Sequence, residues 1–293
     1  MEKAQLLSLL QKEFDASSNH LSNVIGLFEE GATIPFVARY RKEQTGAMDE
    51  VQLRELSDRI EYLHELDARK KTILSSIEEQ GKLTDELQKK IEATLSKAEL
   101  EDLYLPYKPK RRTRDTIARE NGLEPLAEAI KRQNSEEDDF VAPNVLAEAF
   151  AGSENVPTVE DALKGAADIL AEEVAEKAEH RAYIRDFMLE EGVFRSKLKD
   201  ESTKKESKYE AYADYSAPAK EIAAHAMLAL RRGEAEDALY VELDLEEGSL
   251  LLYLEQQEIQ TQQREWVEFY RNMIRDCYKR LMQLSITAEV RLI

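Results

Sequence analysis

Gly31-Ala-Thr-Ile-Pro-Phe-Val-Ala-Arg-Tyr-Arg-Lys-Glu-Gln-Thr-Gly46 reads as the end of one helix, a short second helix and a stop, with three cations gathered late in the run. Gly31 suits the left-handed end of a preceding helix, Thr33 offers an N-cap and Pro35 is acceptable in a first turn. A short helix carrying Phe36, Val37 and Tyr40 is predicted, halted by Thr45-Gly46. Upstream, Leu6, Leu7, Leu10 and Phe14, then Leu21, Val24, Ile25 and Phe28, recur at helical spacing, with Ser17 or Ser18 as the cap between them. Three short helices with tight connections resemble a helix-turn-helix. That geometry also serves purely structural bundles, so it does not imply base-specific reading.

Downstream, Asp49 caps a long amphipathic helix through Val51, Leu56, Ile60, Leu63, Leu66, Ile73 and Ile77 to Gly81, with Glu50–Arg54 and Glu55–Arg59 as i, i+4 pairs. Helices follow at Thr84–Leu95 and, after the capping box Ser96-Lys-Ala-Glu99, up to Tyr104. The next passage, Tyr104-Leu-Pro-Tyr-Lys-Pro-Lys-Arg-Arg-Thr-Arg114, contains no acid. Pro106 and Pro109 fix φ, remove donors and push their predecessors out of the α region, so a stiff extended loop presents the cations. Cations beside aromatics suit phosphate contact with base stacking. The opposing reading has the tyrosines packed on the core and the cations paired with this chain's many acids.

Two more helices, Asp115–Glu120 and Pro125–Arg132, flank Gly122, and Asn134–Asp139 reads as an acidic connector. A helix over Asn144–Ala151 precedes one opened by Thr158 with Asp161, predicted to run to Glu190. Gly192 marks a change. Lys197–Tyr209 is Lys-, Glu- and Ser-rich and reads as weakly ordered. Ile222–Arg231 is helical, Leu239–Asp244 is the one convincing strand, and Gln257–Ser285 reads as one long amphipathic helix.

The chain is therefore expected to be mainly α and multi-helical, with one or two short strands near 238–254. Residues 1–190 would form a helical domain, and 191–293 a linker, a strand and long helices. Net charge is −19, but unevenly placed: residues 1–134 hold 22 Lys and Arg against 25 Asp and Glu, a net of −3, and the remainder 19 against 35, a net of −16. Acidic surface repels nucleic acid, so any such contact belongs to the first part. No apolar run approaches the ~20 residues of a membrane span. The start has no signal-peptide layout, so a soluble cytoplasmic protein without membrane contact is expected. A lone cysteine, Cys277, excludes an internal disulfide, and its spacing from Trp266, Phe269, Tyr270 and Met273 reads as a core thiol. His20, His64, His180 and His225 lie far apart, and neither a phosphate-cradling glycine loop nor a nucleophile elbow is present. Neither catalysis, a cofactor nor a metal is expected.

Residues 31–53 (GATIPFVARYRKEQTGAMDEVQL) and 103–126 (LYLPYKPKRRTRDTIARENGLEPL) resemble the N-terminal signatures of the bacterial Tex family of transcription accessory proteins. Ala229-Leu-Arg-Arg-Gly-Glu-Ala-Glu236 and Asp276–Arg291 resemble later stretches of that family, whereas Ala224-His225-Ala226 stands where relatives usually show Ser-His-Arg. The resemblance implies work near RNA polymerase and nucleic acid. It also implies continuation into a YqgF-type RNase H-like domain, generally regarded as inactive, then helix-hairpin-helix elements and an OB-fold credited with most of the RNA binding. Against that pattern the chain reads as truncated at Ile293. The expected contact patch is Lys108, Lys110, Arg111, Arg112 and Arg114, with Arg39, Arg41 and Lys42 as neighbours and Tyr104 and Tyr107 as stacking or packing groups. The alternative is a protein-interaction scaffold without nucleic-acid binding of its own.

Overall fold

A computed structural model describes residues 1–109, 112–135, 139–200 and 208–292, and the chain divides into two units, residues 1–101 and 102–293. The first unit follows the sequence closely. Helix α1 (Lys3–Glu13) buries Leu6 and Leu10, and α2 (Ser18–Glu29) buries Leu21, Val24 and Ile25. Ser17 caps α2 by accepting the His20 amide at 3.2 Å, and Gly31 follows with φ +83°. Helix α3 spans Ile34–Tyr40, but it does not run on to Thr45. Arg41 leaves the helical region at φ −129°, and a separate turn, α4 (Lys42–Thr45), ends at left-handed Gly46.

Asp49 accepts the Gln52 amide at 2.8 Å and opens α5 (Glu50–Glu79), whose 30 residues rise about 45 Å. Its buried stripe, Leu53, Leu56 and Leu63, joins α1, α2 and Val37 of α3 in one core. Glu50 pairs with Arg54 as expected, at 3.3 Å. Arg59 instead holds Glu13 of α1 through two 2.6 Å bonds, because a tertiary carboxylate offers bidentate geometry that Glu55 on the same helix face does not. Thr84 caps α6 (Asp85–Ala93), and Ser96 precedes α7 (Lys97–Tyr104), whose last turn belongs to the second unit. Glu99 donates its amide to Ser96, while its carboxylate takes the Thr94 hydroxyl.

In the second unit, α8 (Arg114–Glu120) and α9 (Glu124–Ser135) pack with α11 (Val159–Ala175), and α10 (Pro143–Ala147) lies against α9 and α11. Helix α9 continues through Asn134, so that residue belongs to the helix and not to a connector; residues 136–138 lie outside the described residues. The long helix expected from Thr158 to Glu190 is interrupted at Glu176–Lys177, where α12 (Ala178–Glu191) begins anew. The helix expected from Gln257 is likewise divided. Helix α14 (Glu247–Glu258) ends there, α15 (Arg264–Cys277) starts after an extended stretch, and a π-helical turn at Tyr278–Met282 leads to α16 (Gln283–Val290).

Between α12 and α14 lie α13 (Ala224–Ala235) and a three-stranded antiparallel sheet in the order β2 (Asp214–Pro218), β1 (Val193–Leu198), β3 (Leu239–Asp244). Only β3 was expected. Lys197 and Leu198 belong to β1 rather than to a weakly ordered stretch; residues 201–207 lie outside the described residues, and Tyr209 is buried. Strand β1 sends Phe194, Ser196 and Leu198 inward, and the Ser196 hydroxyl donates to the Tyr212 carbonyl at 2.7 Å. The core of this unit includes Ile169, Leu170, Ile184, Leu239, Tyr270, Tyr278 and Trp266, whose indole N–H donates to the Val141 carbonyl at 3.0 Å. No helix among the described residues is long and apolar enough to cross a membrane.

Gly233 on α13 faces β3, where a Cβ would lie 2.4 Å from Leu239 Cδ1 and 2.7 Å from its Cγ. Glycine to alanine in an exposed helix gains about 1 kcal/mol. Leu239 is fully buried and cannot swing aside, so Gly233→Ala is expected to lose about 1–3 kcal/mol by overpacking. Urea unfolding checks the sign; a stabilised variant would contradict this packing.

Candidate nucleic-acid interface

The basic passage after α7 opens with a 3-10 turn, Leu105–Tyr107, closed by the Lys108 amide donating to the Leu105 carbonyl at 3.3 Å. Lys108 is extended, at φ −69° and ψ 129°, and its side chain is exposed, as the residue before Pro109 should be. Lys110 and Arg111 lie outside the described residues. Arg112 is exposed and bonds Glu120 across α8 at 2.7 Å. Arg114 is not on the loop but opens α8, and lines a cleft of about 190 Å³ with Lys164 and Asp168 of α11. Burial lifts the Asp168 carboxyl above its ordinary value, against the opposing pull of Arg280 and Arg114. Tyr104 is 8% exposed, which makes it a packing residue and removes it as a stacking platform; Tyr107 is half-buried.

The other cations stand in the first unit. Arg39 lies in the last turn of α3, Arg41 is the joint between α3 and α4, and Lys42 opens α4. All three are exposed. The joint is tied to α2, since Asn23 Nδ2 donates to the Gln44 carbonyl at 3.0 Å. The two basic runs thus belong to different units. Phe36 and Tyr40, expected on this helix, are 40% and 62% exposed, and the Arg41 guanidinium sits 5.3 Å from the Phe36 ring centroid. The buried side of α3 is Ile34, Val37 and Ala38. That i, i+3, i+4 stripe was the signal that puts Phe36 and Tyr40 on the other side.

Elsewhere, two of the most buried acids are paired with cations. Asp102 in the last turn of α7 accepts Arg181 Nε and Arg185 Nη2, each at 2.6 Å, and Glu289 takes the same two guanidiniums. Glu258 accepts Lys177 at 2.6 Å and meets His180 Nε2 at 2.5 Å. Burial would raise its carboxyl, but those two hydrogen bonds prevail and hold it below the usual range. It lines a polar cleft of about 510 Å³ with Lys131, Glu173 and Tyr270. Cys277 is buried with Sγ 3.1 Å from the Ala171 carbonyl.

A mainly helical chain with a small antiparallel sheet and two basic runs is the class these features define. Residues 4–78 match the family described as Tex-like protein N-terminal domain, and residues 138–292 match Tex central region-like. The chain belongs to the Tex family. It is 40% identical over 294 residues to protein YdcI of Bacillus subtilis, covering 99% of this chain and 40% of that protein. To the transcriptional accessory protein Tex of Neisseria gonorrhoeae it is 42% identical over 235 residues, covering 80% of this chain and 30% of the relative. To the human S1 RNA-binding domain-containing protein 1 it is 29% identical over 236 residues, 78% of this chain and 23% of that one. The chain therefore spans less than half the length of these relatives.

Burial pushes the Cys277 thiol up to about 12. The native protein is expected to leave a disulfide reagent such as DTNB unreacted at neutral pH, and to release one equivalent on unfolding in urea. Reaction of the native protein at the rate of a free thiol would contradict the burial.

Proposed function

We propose that this chain is the N-terminal helical scaffold of a Tex-like transcription accessory protein, that it is not itself catalytic, and that its basic loop makes an auxiliary phosphate contact with nucleic acid. The observation that carries the reading is the acid-free run from Tyr104 to Arg114, raised on a proline-stiffened turn with Lys108 exposed. Cations gathered there would release counterions from phosphate. The relative named transcriptional accessory protein and the relative named for an S1 RNA-binding domain support the setting. RNA polymerase or another transcription protein is the partner this setting implies, in the cytoplasm. Most of the nucleic-acid affinity would come from the part of the relatives that this chain does not span. The non-catalytic reading draws on how the clustered acids are used: Asp102 and Glu258 neutralise cations, and the cysteine is an unreactive core group.

One observation favours a second reading. Arg112 is already paired with Glu120, and Tyr104 is packed, as a protein-interaction scaffold without nucleic-acid affinity would have them. Salt dependence separates the two. Titration of labelled single- and double-stranded RNA and DNA is expected to show binding whose logarithm falls linearly with log salt, by about 0.7 per phosphate on single strands and 0.9 on duplex. A variant with Lys108, Lys110, Arg111, Arg112 and Arg114 changed to alanine should bind more weakly with a smaller slope. Equal affinity and slope in a folded variant would remove the loop as a contact.

A further inference from the structure

The exposed face of α3 and the joint after it carry a feature that the basic loop lacks. Phe36 and Tyr40 stand one helical turn apart with ring centroids 5.4 Å from each other and planes inclined by 46°, and both rings are open to solvent. Aromatic side chains dominate core and interface energetics, so a paired set left outside is the informative case. The core side of this helix is already served by fully buried Val37.

The cations beside the pair are equally unusual. Among the described residues, Arg39, Arg41 and Lys42 have no carboxylate at ion-pair distance, although this chain has a net charge of −19. In the same unit Arg54, Arg59 and Lys71 are all paired with acids. Glu43 is the one acid from Gly31 to Gly46. The platform is also pre-formed. Thr45 is fully buried with its hydroxyl donating to the Lys42 carbonyl at 3.3 Å, and Asn23 clips the next carbonyl but one.

We propose that Phe36, Tyr40 and Arg41, flanked by Arg39 and Lys42, form a single-strand nucleic-acid site in which an unpaired base stacks on Tyr40 and the three cations take the adjoining phosphates. The inference rests on the nucleic-acid reading above but moves the single-strand contact to a different unit from the basic loop. Free cations next to an open π face are what an unstacked nucleotide needs. A duplex keeps its base faces covered and would use the cations alone. An acidic peptide would likewise use the cations and leave the rings idle.

The test is anisotropy of short labelled single-stranded RNA and DNA, and of matching duplexes, with the whole chain, Tyr40→Ala, Tyr40→Phe, Arg41→Ala and the five-alanine loop variant. Tyr40 and Arg41 are exposed, so their substitution leaves the fold intact, and circular dichroism checks every variant. Tyr40→Ala is expected to weaken single-strand binding about tenfold or more while duplex binding stays nearly unchanged. Tyr40→Phe should match the wild type, and Arg41→Ala should reduce the single-strand salt slope by about 0.7. If Tyr40→Ala binds single strands like the wild type while the loop variant loses them, this inference falls and the loop reading stands. Equal weakening on single strands and duplex would also overturn it, because stacking would then play no part. A wild type that binds a polyglutamate peptide but no nucleic acid at low salt would overturn both readings.

Discussion

Asp102 lies in the last turn of α7 with its side chain almost wholly removed from water, and it is held by two guanidiniums. Arg181 and Arg185, one turn apart on α12, each give it a 2.6 Å hydrogen bond, and Glu289 of α16 completes the set from the other side. Burial alone would lower the Arg185 guanidinium, yet its bonds to Asp102 and Glu289 raise it above the ordinary value. Four charges so placed balance one another, but any three do not. Removing a member of such a cluster leaves an unmatched ion in a medium that solvates it poorly, which is why the helices that supply them cannot separate independently. The first residue after the cluster's anchor is Leu103 and the second is Tyr104, so the basic run departs from a fixed base.

The same logic accounts for the breaks in the helices of the second unit. At Glu176–Lys177 the chain leaves α11, and the new helix turns His180 and Lys177 onto Glu258 and Arg181 and Arg185 onto Asp102. Glu258 is the last residue of α14, and beyond it Asn134 of α9 bridges the extended stretch, donating to the Glu258 carbonyl at 2.7 Å and accepting the Gln260 amide at 3.1 Å. Those bonds satisfy backbone groups that an uninterrupted helix would have satisfied itself. Lastly, the π-helical turn keeps Tyr278 and Met282 both in the core while Arg280 reaches Asp168 at 2.7 Å.

Much of this was legible in the residues. Apolar periodicity gave the first unit nearly whole, and the capping signals at Ser17, Asp49, Thr84 and Thr158 are all made. What local patterns could not show were interactions that span the chain. A helix reading carried α11 through Lys177 because the reason to break, Glu258, lies 81 residues away. Strand β1 was concealed by Arg195 and Lys197, which face outward while Phe194, Ser196 and Leu198 alternate inward beneath them. For the candidate site, sequence identified the cations, but it could not tell that Tyr104 is packed, that Arg112 has found Glu120, or that Phe36 and Tyr40 are left outside.

The helix from which the basic run departs thus depends on a buried electrostatic anchor. Urea unfolding of Asp102→Ala against the wild type tests that dependence directly. Stranding Arg181 and Arg185 in the core should cost about 3–5 kcal/mol. A loss below about 1 kcal/mol, the value of an exposed pair, would mean that the cluster is solvated and that the helices around it are held by apolar packing alone.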